Sequence, residues 1–525
     1  MAIKHTLSID VETYSSVNLA DSGAHKYCES PDFTILLFGY SVDYGPVKVI
    51  DLADGGKLPQ SILDMLTDET VLKTAYNAPF ERAAIHAFTN LPMSPKQWSC
   101  SMVLAAQAGL PLGLEAVGVA MGLPPDKAKA DGKALIRYFC QPCAPTLRNM
   151  GRTRNMPWDD YDKWHRFKDY NKRDVEVENT IRKRLLSVMP NDTEQRFWQL
   201  DQKINDAGVR LDMPLVANAI AFNDRYFTEI AKEAQALSGI SNVKSTAQIK
   251  AWLTAQEGQA FDSLNKKAMP DVLANIKTDE AKRFLELRSE LSKTSISKFS
   301  KMQDCVCADG HARGLFQFYG ASRTGRFSGR LIQLQNLYRN SLEDLADVRA
   351  LVKAGLYEEL RRKHPNISSV LSELIRTAII PEPECHFLIA DFSAIEARVI
   401  AWLAHEEDDL EEFRGKGKIY ELTASRMFGV PKERIVKGNP EYAFRAKGKV
   451  ATLACGYGGG TNALIAMGAL TSGIPEEELP SLVTQWRASH KHIVAWWRSL
   501  EHAAKTAIRT QAMAKDELGG ILYQY

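Results

Sequence analysis

The spacing of hydrophobic positions changes several times along the chain. Short apolar or alternating runs at Thr6–Ile9 and Thr34–Val42 predict strands in the first 190 residues. The same stretch turns helical later. From near Pro157, the aromatic residues Trp158, Tyr161, Trp164 and Phe167 recur every three residues and mark the buried side of a predicted helix. Residues 191–310 are polar and helical in pattern almost throughout. Residues 311–410 return to strand-like runs around a charged helical insert at 342–363, and residues 411–513 are helical again. No internal repeat or low-complexity linker interrupts this order. It predicts an α/β multidomain protein with two α/β lobes separated by a helical arm. The final Leu518-Gly-Gly-Ile-Leu-Tyr-Gln-Tyr525 reads as a strand beginning.

Composition sets outer limits on this picture. The chain has 525 residues, 45% hydrophobic and 25% charged, ordinary values that exclude a disordered, collagenous or coiled-coil chain. The length predicts three or four domains. No apolar run approaches the roughly 18 residues that a membrane span needs, and the first residues lack the apolar core of a signal peptide, so a soluble, cytosolic protein is expected. With 66 basic and 64 acidic side chains the net charge is +2, and any nucleic-acid partner must be met by local basic patches. Eight cysteines are too few for a disulfide scaffold. Cys140-x-x-Cys143 and Cys305-x-Cys307 with His311 lie far apart, and the second spacing is too tight for a usual zinc site. Reduced structural thiols are expected.

Two constellations carry chemistry. In the first, Leu7-Ser-Ile-Asp10-Val-Glu12 puts two carboxylates on one face of a strand. Glu81 follows a second strand-like stretch, in Asn77-Ala-Pro-Phe-Glu81. Tyr170 and Asp174 are one turn apart on the later helix and therefore neighbours. Four converging carboxylates suit two hard divalent cations, which can activate water and stabilise an in-line phosphoryl displacement; the Tyr170 hydroxyl can orient that water. Taken singly, Asp-x-Glu is a chance pair and Tyr-x-x-x-Asp a solvated helix face.

The second constellation has three pieces. Residues 319–338 mix small residues and arginines with Gln335 and Asn336, a composition able to approach phosphates and reach sugars or base edges, or simply a polar surface loop. Phe387-Leu-Ile-Ala-Asp391 predicts an apolar strand that delivers a carboxylate at its end, before a helix carrying Glu396. In the third piece, Arg445, Lys449, Leu453 and Tyr457 share one helix face at about 100° per residue. Two cations, an apolar side chain and a tyrosine form a strip able to grip a triphosphate and stack on its base, against the alternative of a solvated basic face.

Taken in order, the first constellation resembles the three signatures of DnaQ-like 3′–5′ exonucleases, with Glu81 where aspartate is usual. The second resembles the template-binding motif and motifs A and B of family A DNA polymerases, the DNA polymerase I group, most closely its compact phage and prophage members. The resemblance implies an RNase H-like exonuclease domain at 1–190, a helical connector and thumb at 191–310, the first part of a palm at 311–410, fingers at 411–513, and the start of a palm return at 514–525. It implies two Mg²⁺ or Mn²⁺ ions per active site, held by Asp10, Glu12, Glu81 and Asp174 in one and by Asp391 in the other. Glu396 would close the sugar pocket, Arg445 and Lys449 would hold dNTP phosphates with Lys449 donating a proton to pyrophosphate, and Tyr457 would pack by the templating pair. Arg326, Gln335 and Asn336 would touch primer-template DNA, with Lys293, Lys298 and Lys301 on primer phosphates. The implied partners are primer-template DNA, single-stranded 3′ ends, dNTPs and replication accessory proteins, with no membrane, met by a monomer in the cytoplasm of a bacterial host.

Three departures stand out. Leu453 replaces a frequent aromatic residue, and Tyr420 replaces a triphosphate-contacting histidine. The family carries a second palm aspartate in a His-Asp-Glu hairpin, yet this sequence contains no His-Asp pair. The late Asp516-Glu517 lacks the apolar flanks that such a hairpin needs. The expectation is therefore a polymerase with an incomplete palm, whose alternatives are a chain active only as an exonuclease and a DNA-binding remnant.

Overall fold

The structure is a computed structural model that describes all residues except 1–2, 125–131, 187–191, 266–267, 294–295, 323, 519 and 524–525. The chain divides into two compact units, Met1–His386 and Phe387–Tyr525.

The first unit opens on a five-stranded sheet built from β1 (His5–Tyr14), β2 (Thr34–Val42), β3 (Lys48–Asp51), β4 (Val71–Ala75) and β5 (Trp98–Cys100), in the order β3-β2-β1-β4-β5. β1 lies antiparallel to β2 and parallel to β4. Its sequence alternates apolar and polar residues, yet it is buried along nearly its whole length, because both of its faces are covered. Leu7, Ile9 and Val11 enter one core with Phe38, Trp98 and Ile85. Another core, under the Tyr161–Leu186 helix, gathers Trp164, Phe167, Phe139 and Leu37. The expected aromatic stripe is therefore half right. Trp164 and Phe167 are buried, but Trp158 and Tyr161 are 55% and 56% exposed because the helix starts only at Tyr161, after a short 3₁₀ turn at Pro157–Asp159.

Beyond the Asp192–Ala207 helix, a larger core is built mainly by the helices Met213–Ser238, Asp279–Leu291, Ser297–Cys305 and Ile367–Leu374. Short strands Val209–Leu211, His311–Ala312 and Ile379–Ile380 form a small antiparallel sheet, and Phe316–Ala321 pairs with Arg326–Gly329. Strand content in 311–410 is thus lower than the sequence predicts. The charged insert is two helices, Leu345–Lys353 and Tyr357–Lys363. Trp198 and Phe318 join the sheet's own core, and ion pairs Arg82–Asp206 (2.6 Å) and Lys301–Asp21 (2.9 Å) fasten the first 190 residues to the Asp192–Ala207 and Ser297–Cys305 helices.

The second unit is helical. Ile395–Ala404, Ile419–Phe428, Phe444–Cys455, Leu479–Ser489 and Lys491–Thr510 surround a core of Ile400, Val450, Ala454, Leu482, Trp486 and Ile493. Gly448 sets a close approach between two of these helices: a Cβ there would sit 2.3 Å from the Tyr420 carbonyl oxygen. Two expectations fail here. Residues 387–391 form no strand, and Leu388 and Ile389 are 90% and 92% exposed. Among the described residues no strand lies beside them to take up their backbone N–H and C=O groups, and an apolar run becomes a strand only with such a partner. Conversely, the acidic pair near the end does sit in a hairpin. Ala514–Lys515 pairs with Leu522–Tyr523, and buried Asp516 accepts hydrogen bonds from the Leu518 and Ile521 amides, closing the turn that short flanks alone did not announce.

His490 in this unit is 1% exposed, stacked on Trp486 and hydrogen-bonded from Nδ1 to the Trp486 carbonyl at 3.0 Å. Burial holds its imidazole down at about 4, against an ordinary 6.5. The unfolded chain therefore takes up a proton near pH 6.5 and the folded one only near pH 4, so acidification through that window removes up to about 3 kcal/mol of stability. Asp409, raised to about 7 by burial and with its Oδ2 3.6 Å from His490 Nε2, gains a proton over the same window and opposes this. His490→Gln should lose less stability than the parent between pH 6.5 and 4 in denaturant titrations.

Candidate active sites

Asp10 and Glu12 project from one face of β1, and a register shift between Glu12 and Thr13 ends the regular pairing there. Directly across from Asp10 on β2 is Gly39. A Cβ at Gly39 would stand 2.5 Å from Asn171 Oδ1, so glycine leaves the slot that Asn171 fills. From that slot Asn171 Nδ2 donates to Asp10 Oδ2 at 2.7 Å and to the Asp10 carbonyl at 3.2 Å. Glu81 sits in the first turn of the Ala78–Thr89 helix, behind Pro79. Asp174 follows Tyr170 by one helical turn, and the Tyr170 hydroxyl donates to it. Gly132 allows the Gly132–Phe139 helix to lie on the Tyr170 ring, where a Cβ would approach to 2.4 Å.

The electrostatics tie these carboxylates together. Glu12 is raised well above the usual carboxylate range, first by burial and then by Asp10, Asp174 and Glu81. Burial and Asp10 do the same to Glu81. Burial, then Asp174 and Glu12, push the Tyr170 phenol up, so it stays protonated. Glu12 thus feels the other three acids, and Glu81 also feels Asp10. Among the described residues no three His, Cys, Asp or Glu side chains are spaced to hold a metal ion as they stand. The donor set nevertheless fits a hard cation: it is all oxygen, and Glu81 Oε2 is buried without a hydrogen-bond partner. A cleft of about 690 Å³ adjoins it, lined by Glu12, Ser15, Leu19, Tyr27, Phe80 and Cys140.

Three contributors escaped the sequence reading. Asn171 is one. Glu178, 3% exposed, accepts from Ser101 beside Arg182, and burial raises it. The four-residue step from Tyr170 through Asp174 continues to Glu178 and Arg182, a signal that could have found both. Cys140 Sγ lies 3.8 Å from Glu12 Oε2, a contact with no signature in sequence. All eight cysteines are free.

In the second unit, the Phe444–Cys455 helix buries Gly448, Val450, Ala451, Ala454 and Cys455 and turns the predicted strip outward. Lys449 is exposed, Leu453 is 37% and Tyr457 63% exposed. Arg445 is engaged: its Nε donates to Glu421 Oε1 at 2.9 Å. The Ile395–Ala404 helix, with Glu396 in its first turn, meets the far end of this helix, where Ile400 Cδ1 is 3.3 Å from the position of a Cβ on Gly456. Asp391 is exposed in the irregular segment before it.

In the first unit, Arg326 lies on the Arg326–Gly329 strand, and Gln335 and Asn336 are exposed in the 3₁₀ turn Leu334–Asn336 that folds against it. Lys298 Nζ donates to Gln333 Oε1 at 3.4 Å and Lys293 Nζ to Ser369 Oγ at 2.5 Å. Lys301 departs from expectation: its ammonium is paired with Asp21 and fastens its helix to Leu19–Cys28.

The profile of DNA polymerase family A matches residues 218–518. The chain belongs to this family. Among its relatives, the DNA polymerase of Bacillus phage SP02 is 50% identical over 514 residues, which is 98% of this chain and 78% of that protein. DNA polymerase I of Chloroflexus aurantiacus is 24% identical over 263 residues, 47% of this chain and 26% of that enzyme. Among solved structures, the POL domain of Pol1 from M. smegmatis, in complex with DNA primer-template and dNTP, superposes with a TM-score of 0.58 at 15% identity, covering 99% of this chain and 78% of that one. The likeness of fold to this polymerase domain therefore extends along the chain, which is mostly helical with mixed sheets. Among the described residues no helix is long and apolar enough to cross a membrane.

The raised carboxyls of Glu12 and Glu81 predict competition between protons and a divalent cation. Mn²⁺ or Mg²⁺ should raise the melting temperature, more at pH 8 than at pH 6, and Asp10→Ala should erase the rise in scanning fluorimetry.

Proposed function

We propose that this family A polymerase extends a primer on a DNA template with dNTPs and carries a 3′–5′ proofreading exonuclease in an RNase H-like domain at residues 1–190. The remaining division is connector and thumb at 191–310, palm at 311–410, fingers at 411–513 and the palm return at 514–525. The single observation that carries the polymerase reading is the outward strip of Arg445, Lys449, Leu453 and Tyr457 in a family A chain. There Arg445 and Lys449 meet the triphosphate, Lys449 protonates the departing pyrophosphate, Tyr457 packs by the new pair and Glu396 rejects a 2′-hydroxyl. Arg326, Gln335, Asn336, Lys293 and Lys298 hold primer-template DNA. Asp391 is the palm ligand for Mg²⁺ or Mn²⁺.

In the exonuclease, Asp10, Glu12, Glu81 and Asp174 are the ligands for two such ions, which when bound supply a nucleophile from water and charge stabilisation at the phosphate. Asn171 fixes the Asp10 carboxylate, and Tyr170, protonated and hydrogen-bonded to Asp174, orients the attacking water. The adjoining cleft admits a single-stranded 3′ end between Leu19 and Phe80. A second reading, a chain that degrades DNA ends without extending them, is favoured by one contrast: the N-terminal carboxylates are gathered, whereas Asp391 stands exposed in irregular chain.

Primer extension with Mg²⁺ and dNTPs separates the two. Extension is the expected result, and its absence with intact end degradation selects the second reading. Asp10→Ala should lower degradation of an end-labelled single strand at least about a hundredfold and leave extension intact; unchanged degradation removes Asp10 from the site. Lys449→Ala should weaken dNTP binding at least about tenfold with the exonuclease rate unaltered.

A further inference from the structure

We propose that Glu421 is a positioning residue for the incoming nucleotide: it fixes the Arg445 guanidinium so that the outer fork of that group meets the triphosphate. The inference rests on the polymerase reading above and adds a residue to it.

Glu421 stands in the first turn of the Ile419–Phe428 helix, next to a tight backbone contact between this helix and the Phe444–Cys455 helix. At that contact Gly448 lies under the Tyr420 carbonyl, and Thr452 and Thr423 share a hydrogen bond of 3.1 Å one turn further on. The two helices cannot slide, so the carboxylate is held at fixed height beside Arg445. Its Oε1 accepts from Arg445 Nε at 2.9 Å, with side chains only 13% and 34% exposed. Nε is the nitrogen on the stem side of the guanidinium. Among the described residues Nη1 and Nη2 form no hydrogen bond, and the rings of Tyr420 and Tyr442 flank the group at 5.5 and 6.0 Å. A guanidinium gripped on its inner edge and flanked by rings presents two parallel donors, the geometry that phosphate accepts.

The pair also divides the work along the strip. Glu421 and Arg445 together carry no net charge, so attraction at a distance comes from exposed Lys449, while Arg445 supplies direction. Preorganisation of this kind spares the ligand the ordering of a long flexible side chain.

The test uses the full chain, primer-template DNA and a dNTP. It measures KM and kcat in extension, and Kd for the dNTP on a chain-terminated primer. Glu421→Ala should raise KM and Kd about tenfold with kcat changed less than about twofold. Glu421→Gln, which keeps an oxygen for Nε, should recover most of the loss, whereas Glu421→Asp, which keeps the charge but shortens the arm, should not. In an Arg445→Ala background Glu421→Ala should add nothing. An unchanged or lower Kd in Glu421→Ala, or a wild-type Asp variant beside a defective Gln variant, overturns the inference. If Arg445→Ala itself leaves Kd unchanged, the polymerase reading of this helix falls and the inference with it; if only the Glu421 variants are silent, the reading stands and Glu421 is dismissed.

Discussion

Carboxylates that repel one another are held together beside the C-terminal half of β1, the central strand of the sheet, by the packing of the elements around it. Burial raises Glu12 and Glu81, and Asp10 raises both further. A cluster of this kind does not assemble for its own stability, because like charges out of water oppose folding. It persists because neutral parts of the fold over-determine it: Gly39 opens a slot, Asn171 fills it and grips Asp10, and Gly132 brings a helix down on Tyr170. Conflict between local electrostatics and global packing is a mark of a site rather than of a scaffold.

The second unit solves the opposite problem. Its cations lie on the surface of one helix, where water solvates them, and what needs support is their direction. Small residues provide it from beneath. Gly448, Ala451 and Ala454 let the neighbouring helices approach the Phe444–Cys455 backbone, so the outward residues are carried on a rigid rod. Arg445 is tethered by Glu421, whereas Lys449 reaches outward on the same face as an exposed side chain.

Much of this was legible beforehand. Period-two and period-four patterns located β1, β2 and the helix bearing Tyr170 and Asp174, because alternation and helical repeat directly encode which side of an element is buried. The same regularity put Arg445, Lys449, Leu453 and Tyr457 on one face. What escaped was set by partners distant in the chain. Residues 387–391 have strand composition and no adjacent strand among the described residues. Trp158 and Tyr161 continue an aromatic rhythm past the point where their helix begins. Lys301 reads as a phosphate contact until Asp21 is seen beside it, and Asp516 lacks apolar flanks yet closes a turn by accepting backbone amides. Asn171 and Cys140 contribute through contacts that no local pattern announces.

The attachment of the first 190 residues has a kinematic meaning. Trp198 plugs into the core beneath the sheet, Arg82 reaches Asp206, and Lys301 reaches Asp21, so three separate fasteners join that portion to the helices behind it. A body held at one point can swivel about it, and each further point of attachment removes some of that freedom. The sheet and the helices behind it therefore move as one body, and any shift of one against the other has to break all three contacts together.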